Sequence, residues 1–366
     1  MKQPAISVIL PIYNVAKYLR KSLGCLMTQT FRDFDVILVD DESSDESGNI
    51  CDEHAARDLR FRVIHQKNKG PGGARNAGID SARGKYILFL DPDDWYETDM
   101  LERLWDTAMA HRSDIVVGAF MIEDVLFDGK SISLNRLDSQ DVSPRLFSIG
   151  EALRFLEECS AFDVVWGRLY KRELFGKGKQ KIRFDEGLRK GEDCLFNLNV
   201  FPKAKTVSWL PKPLYHYVFD SRMSLTRSYQ PIDDLLKHED RLLALRKKAY
   251  ESAGIEREVA EALYREKYLH ARLTNFYNMY QKNTPLTHRE RRQKIESLFM
   301  TDDYLLGLKQ LNNRQKLWLK LLKNKNSRLL DTIYSTLFFS GLHQKARFIW
   351  RCGLAAKKWL KRDAFK

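Results

Sequence analysis

Between Ala5 and Gly118, short apolar runs rich in strand formers alternate with segments of helix length, and few folds accept that pattern. The spacing predicts strands at Ala5–Leu10, Asp35–Val39, Arg62–His65, Tyr86–Leu90 and Asp114–Gly118. Helices are predicted between them, over Val15–Gln29, Asp45–Leu59, Gly73–Ala82 and Glu97–His111. Strands that are apolar at nearly every position are covered on both faces, and their alternation with helices means a doubly wound, mostly parallel sheet flanked by helices. Right-handed crossovers put every strand-to-helix loop on one edge, where ligands of open α/β sheets collect. That edge should gather Pro11–Asn14, Asp40–Asp45, the Gly70–Asn76 loop and the acidic run beginning at Asp91.

Further along, Ile122–Ser148 reads as a polar, irregular insert before a helix at Gly150–Cys159, and Asp163–Tyr217 as short mixed segments punctuated by glycine and proline. Beyond Pro231 the apolar spacing turns helical. The expected organisation is an α/β domain over 1–228, a helical extension over 229–312 and a basic amphipathic helical tail over 313–366.

The strand Tyr86-Ile87-Leu88-Phe89-Leu90 ends in Asp91-Pro92-Asp93-Asp94, three acids within four positions. Carboxylates that close repel unless a cation sits among them, and Mg²⁺ or Mn²⁺ suits such oxygens while borrowing further ligands from phosphates. Pro92 stiffens the turn. The alternative is a helix cap by Asp93 or Asp94. On these residues alone both readings stand.

Three more constellations share the edge. Asp40 and Asp41 end the second strand, where a carboxylate can accept the N3–H of a uracil, and Tyr13 ends the first, where it can stack on the base or pack in the core. Ser44 or Asp45 there can equally cap a helix. Gly70-Pro71-Gly72-Gly73-Ala74-Arg75 reads as a glycine-rich turn with Arg75 in the first turn of a helix, suited to a diphosphate or simply an ordinary turn. Gly191-Glu192-Asp193 is a second acid pair, able to take a proton from a hydroxyl or merely to favour a helix start.

In this order the motifs resemble the family-2 glycosyltransferases of the GT-A fold, the inverting, bacterial cell-surface polysaccharide type. The matching residues are Ser7–Asn14, Val39–Asp45, Asn68–Gly78, Phe89–Asp94, Val165–Tyr170 and Glu192-Asp193, within roughly the first 220 residues. The resemblance implies a nucleotide-sugar donor, usually a UDP-sugar, and a glycan or lipid-linked acceptor. Pro11, Tyr13 and Asp41 would hold the uridine, Arg75 and Asp91 the ribose or diphosphate, and Asp93 a divalent metal (Mn or Mg) as part of a DxD motif. Asp193, beside Glu192, would be the general base. His216 and Arg222 fall in a late segment that closes over the diphosphate in the family, with a core or surface role as the alternative for each. Gly72-Gly73 departs from the polar residues relatives often carry there, which leaves the donor-sugar contacts open. A non-catalytic, membrane-associated nucleotide-sugar or glycan-binding protein on the same fold is the competing expectation.

Charge divides the chain. Of the formal net charge of +13, the stretch from Arg314 to Lys366 carries +12, with leucines and aromatics interleaved at helical spacing. That pattern suits an anionic membrane surface, with a bundle used for self-association, giving a homo-oligomer, as the alternative. No nucleic-acid module surrounds the charge, so nucleic acid is not an expected partner. Five scattered cysteines suit a reducing compartment, and neither a signal peptide nor a spanning segment is evident. The expected location is cytoplasmic, peripheral on the inner face of the cell membrane.

Overall fold

The computed structural model describes residues 3–125, 131–135, 143–159, 161–176, 178–188, 191–220, 231–281, 284–299, 327–329 and 331–332. The chain divides into two compact units, Met1–Ser221 with Ala249–Ile255, and Arg222–Lys248 with Glu256–Lys366.

The first unit carries strands β1 (Ile6–Ile12), β2 (Phe34–Asp40), β3 (Phe61–His65), β4 (Tyr86–Phe89), β5 (Trp95–Tyr96), β6 (Ile115–Val125), β7 (Ser131–Asn135), β8 (Arg145–Phe147), β9 (Arg168–Lys171) and β10 (Val207–Asp220). Its helices are α1 (Ala16–Met27), α2 (Ser47–Arg57), α3 (Gly70–Ser81), α4 (Met100–His111), α5 (Ile149–Glu158) and α6 (Glu192–Val200). All ten strands form one sheet of order β3-β2-β1-β4-β9-β6-β10-β5, with β7 beside β6 and β8 beside β10. Strands β1 to β4 are mutually parallel, as are β6 and β10. The expected doubly wound, mostly parallel sheet is therefore present. In its centre Ile6, Val8, Ile9 and Leu10 are fully buried, because helices cover both faces of an apolar strand.

The chain steps outward from β1 to β2 to β3, then crosses back to lay β4 on the other side of β1. The order reverses between β1 and β4, and the carboxyl ends there frame a crevice. Strand β9 lies antiparallel between β4 and β6, which the chain-order reading of consecutive parallel strands did not anticipate. Pairing partners that arrive some eighty residues later leave no local signature.

Several boundaries differ from expectation for identifiable reasons. Helix α3 starts at Gly70, not Gly73, because Pro71 presets helical φ in its first turn and Gly70 enters with φ 76°. Arg75 therefore sits in the second turn. The expected irregular stretch after Ile122 begins as the end of β6, which pairs with β10 as far as Val125 and carries β7 on its other side. Pro211 and Pro213 do not break β10, since both fall where its register against β6 shifts. Helix α4 starts at Met100 because Trp95 and Tyr96 pair with β10 first.

The described residues of the second unit are mainly helical, with most of α7 (Ile232–Ser252), then α8 (Arg257–Asn278) and α9 (His288–Phe299). Buried Asp331 accepts hydrogen bonds from Arg291 Nε at 2.8 Å, His288 Nδ1 at 2.6 Å and Tyr280 Oη at 3.1 Å. Apart from 327–329 and 331–332, the basic tail expected to meet a membrane lies outside the described residues. Among the described residues no helix is long and apolar enough to cross a membrane.

Helix α3 lies close on β1 because Gly78 has no side chain: a Cβ there would come within 2.3 Å of Ile9 Cγ2. Gly78→Ala should cost about 1–3 kcal/mol by overpacking. Gly24, inside α1, faces open space, and Gly24→Ala should gain about 0.5–1 kcal/mol through reduced unfolded-chain entropy. Urea midpoints moving in opposite directions at constant m-value would bear this out.

Candidate active site at the switch point

The site is assembled from the ends of β1, β2 and β4, the body of α3 and the start of α6. At the end of β1, Tyr13 is 49% exposed, so the core reading for it does not hold. Pro11, inside β1, is partly exposed beside it. Asp41 is 2% exposed, and its Oδ1 accepts from Gln66 Nε2 at 2.7 Å and from the Lys69 backbone N–H at 2.9 Å. Capping falls to Asp45, not Ser44: its two oxygens accept from Ser47 N at 2.9 Å and Ala16 N at 3.1 Å, at the starts of α2 and α1.

Arg75 is the hub. It is 4% exposed, and from α3 its Nη2 donates to Asp91 Oδ1 at 3.0 Å and its Nη1 to Asp193 Oδ1 at 2.9 Å, with Glu192 Oε1 at 3.5 Å. Its guanidinium also lies 5.4 Å over the Phe184 ring. One cation thus faces three carboxylates, one from the loop after β4 and two from the start of α6, about a hundred residues later. Burial works against its charge, yet Asp193, Asp91 and Glu192 hold the proton on it more firmly than usual.

The three aspartates after β4 have separate surroundings. Asp91 is tied to Arg75, its backbone N–H donates to Tyr215 Oη at 3.3 Å, and its carbonyl accepts from Tyr96 Oη at 2.7 Å. Asp93 is exposed and hydrogen-bonds no other residue among those described. Desolvation by the packed loop, then the charge of Asp91, push its carboxyl up to about 6. Asp94 is 2% exposed and is not a helix cap. It accepts from Tyr215 Oη and, at 2.7 Å, from Val218 N, so it bolts the acidic loop to β10. The N-cap position of α4 is Asp99, which makes no side-chain capping bond.

Glu192 and Asp193 occupy the first turn of α6 after Gly191, whose φ of 82° turns the chain into the helix. The helix-start reading is thus met, and the same turn brings both acids to Arg75. Burial raises the Asp193 carboxyl against the opposing pull of Arg75, and with Glu192 and Asp91 nearby it comes to about 7. The Val165 N–H supports its charged form, which places the Val165–Tyr170 segment behind the acid pair.

Two supporting residues escaped the sequence reading. Asn76 is buried and grips the Phe184 backbone from both sides, Nδ2 to the carbonyl at 3.0 Å and Oδ1 from the N–H at 2.9 Å. Phe184 then stacks on Phe196 of α6 at 4.0 Å between centroids. The only local signal was an asparagine within a helix, where its amide has no intrahelical use. Tyr215, the partner of Asp94, stacks on Trp166 at 4.4 Å and lay hidden in a strand-like run. His216 lies outside this cluster: both ring nitrogens are 3.0 Å from carboxylates, Glu123 and Glu97, and the ring stacks on Trp95. Arg222 lies outside the described residues. Among the described residues no group of three or more His, Cys, Asp or Glu is arranged to hold a metal ion by itself.

A sheet whose strand order reverses beside a crevice lined with carboxylates and one buried arginine is the setting in which open α/β proteins bind nucleotides. The chain belongs to glycosyltransferase family 2: the profile for Glycosyl transferase family 2 matches residues 7–178. It is 37% identical over 231 residues to the uncharacterized glycosyltransferase EpsJ of Bacillus subtilis, covering 63% of this chain and 66% of EpsJ, just under two thirds of that protein. It is 32% identical over 220 residues to the glycosyltransferase GlyG of Streptococcus pneumoniae, covering 58% of this chain and 70% of GlyG. Its fold is the GT-A fold of S. aureus TarS 1–349 solved in complex with UDP-GlcNAc, with a TM-score of 0.66, 19% identity and 92% of each chain covered.

Removing the hub tests this electrostatic account. Arg75→Met leaves three carboxylates uncompensated and should cost about 3–5 kcal/mol at neutral pH. Without the guanidinium, which opposes the rise, the folded-state Asp193 carboxyl moves further above its unfolded value of about 4, so the folded state holds more protons than the unfolded one and loses stability as pH rises. The thermal midpoint of the variant should fall more steeply between pH 5 and pH 8 than that of the parent; parallel curves would overturn the account.

Proposed function

We propose that this chain is an inverting, metal-dependent glycosyltransferase that moves a sugar from a UDP-sugar to a hydroxyl of a glycan or lipid-linked acceptor in cell-surface polysaccharide synthesis. The observation that carries the reading is the Arg75 bridge, which joins Asp193, an acid poised near neutrality, to Asp91 at the strand ends. A relative fold holding UDP-GlcNAc supports a uridine donor. The exposed Tyr13 ring and the Asp41 carboxylate, whose Oδ2 makes no hydrogen bond among the described residues, suit the face and the N3–H of a uracil.

In this reading Asp193 accepts the proton of the acceptor hydroxyl, whose oxygen bonds to the anomeric carbon as the bond to the diphosphate breaks. The electron pair leaves with UDP, and attack from the opposite face inverts the anomeric centre. Arg75 holds Asp193 in place, the neighbouring Glu192 charge helps keep its carboxyl raised, and the Arg75 charge favours the departing diphosphate. A general base works best with a pKa near the working pH, and a value of about 7 meets that condition.

The residues fit a hard divalent cation. Asp93 is exposed, hydrogen-bonds no other residue among those described, and is crowded by the charge of Asp91, so a cation there would relieve repulsion. Mg²⁺ or Mn²⁺ binds through one or two carboxylates and takes its other ligands from phosphates and water. Such an ion would supply charge neutralisation on the leaving diphosphate.

Asp193→Asn should lower kcat by about 10²–10⁴-fold while leaving UDP affinity near that of the parent. In the parent, kcat/KM should rise with pH through a single limb near 7 and level off, since only the ionised form accepts a proton. Full transfer by Asp193→Asn would sink the base assignment. No UDP release from the parent across a broad donor and acceptor panel would favour a binding protein instead.

Asp93→Asn should weaken Mn²⁺ binding in the presence of UDP about 10-fold or more, because one charged ligand becomes a neutral amide. Titration followed by the electron-spin signal of free Mn²⁺ reads this without turnover. Unchanged Mn²⁺ affinity would remove Asp93 from the metal site.

A further inference from the structure

Tyr13 has no hydrogen-bond or ring partner among the described residues and is 49% exposed, so no polar or stacking contact fixes where its ring stands. Its position is inherited from the backbone on either side. On one side is Ile12, held in β1, where its carbonyl accepts the Asp41 N–H at 2.9 Å. On the other is Asn14, whose φ of 52° lies in the left-handed region that most side chains avoid and asparagine tolerates.

Asn14 is also where the turn after β1 is locked to the turn after β2. Its Oδ1 accepts from the Ser44 backbone N–H at 2.8 Å and from Ser44 Oγ at 3.3 Å. Its own backbone N–H donates to Ser43 Oγ at 3.1 Å. The second turn needs such support, since Glu42 is held at φ 65°, a left-handed conformation that costs more for glutamate than for glycine. Asp41, the other residue placed at the uracil, lies immediately before Glu42.

We infer that Asn14 is a positioning residue for the nucleobase: by tying Ser43 and Ser44 to the end of β1, its backbone and amide set the separation between the Tyr13 ring and the Asp41 carboxylate. The inference rests on the uridine-donor reading above. Without the Asn14 bonds the strand ends stay joined by the Asp41 N–H to the Ile12 carbonyl and by Asp45 to Ala16 N, but the short stretch carrying Tyr13 loses its tie to Ser43 and Ser44, and binding must order it.

The test is calorimetric titration of UDP with MnCl₂ into the full chain and three variants, with thermal midpoints alongside. Asn14→Gly keeps the left-handed backbone and deletes the amide, and should weaken UDP about 10-fold. Asn14→Ala adds backbone strain and should weaken it at least as much. Asn14→Asp retains the accepting oxygen and tolerates the same φ, and should bind UDP within about threefold of the parent. That ranking differs from one set by backbone strain alone, in which glycine would be the benign substitution. Parental UDP affinity in Asn14→Gly, or equal losses in Asn14→Asp and Asn14→Gly, would overturn the inference while leaving the donor reading intact. A parent chain that does not bind UDP would overturn the donor reading and this inference with it.

Discussion

A single buried guanidinium organises this molecule. Arg75 reaches Asp91, Glu192 and Asp193 from a helix that belongs to none of their elements. Taking an ion out of water costs several kcal/mol, and burying one acid near another costs more, so neither Arg75 nor the acids would be tolerable alone. The glycines of α3 follow from this. Gly78 lets the helix lie on Ile9 of β1, and Gly72 lets the Phe184 segment approach from the far side, where a Cβ would meet Phe184 Cβ at 3.2 Å. Close packing on both sides excludes water, and the lowered dielectric then makes the pairings strong.

The same reasoning explains why three adjacent aspartates can coexist. They do not form one acidic patch, since each is handled differently. Asp91 is neutralised by Arg75, Asp94 is turned inward against Tyr215 and Val218, and Asp93 is left towards solvent. Burial and the two neighbouring charges push the Asp94 carboxyl well above its ordinary value, and the hydrogen bonds to its ionised form oppose this only in part. The loop therefore presents one accessible acid rather than three.

Much of the candidate site's placement was legible because several of its residues fall at the ends of strongly patterned strands. Tyr13, Asp41 and Asp91 could be placed on one edge by topology alone, since parallel strands joined by right-handed crossovers have only one edge for their outgoing loops. Arg75 was found but put one helical turn too early, because Gly72 and Gly73 read as a turn although their lack of side chains serves helix packing. Asn76 and Tyr215 were not found, since a buried side chain that grips a backbone 108 residues away looks like any other polar residue in its own window. His216 lies in a stretch that reads as short mixed segments but forms β10, and its turn towards the Glu97–Glu123 pair depends on pleat and register, which β5 and β6 set from either side.

The sequence by itself determined the α/β class, the edge on which the site lies and the carboxylates gathered there, because hydrophobic periodicity and strand-end position are local properties of the chain. Tertiary structure decided the antiparallel β9 between β4 and β6, the start of α3, and the division of labour among Asp91, Asp93 and Asp94. It also decided that Asp193 sits near neutrality. Those outcomes depend on burial and on the distances between charges, and both quantities exist only once distant segments have packed together.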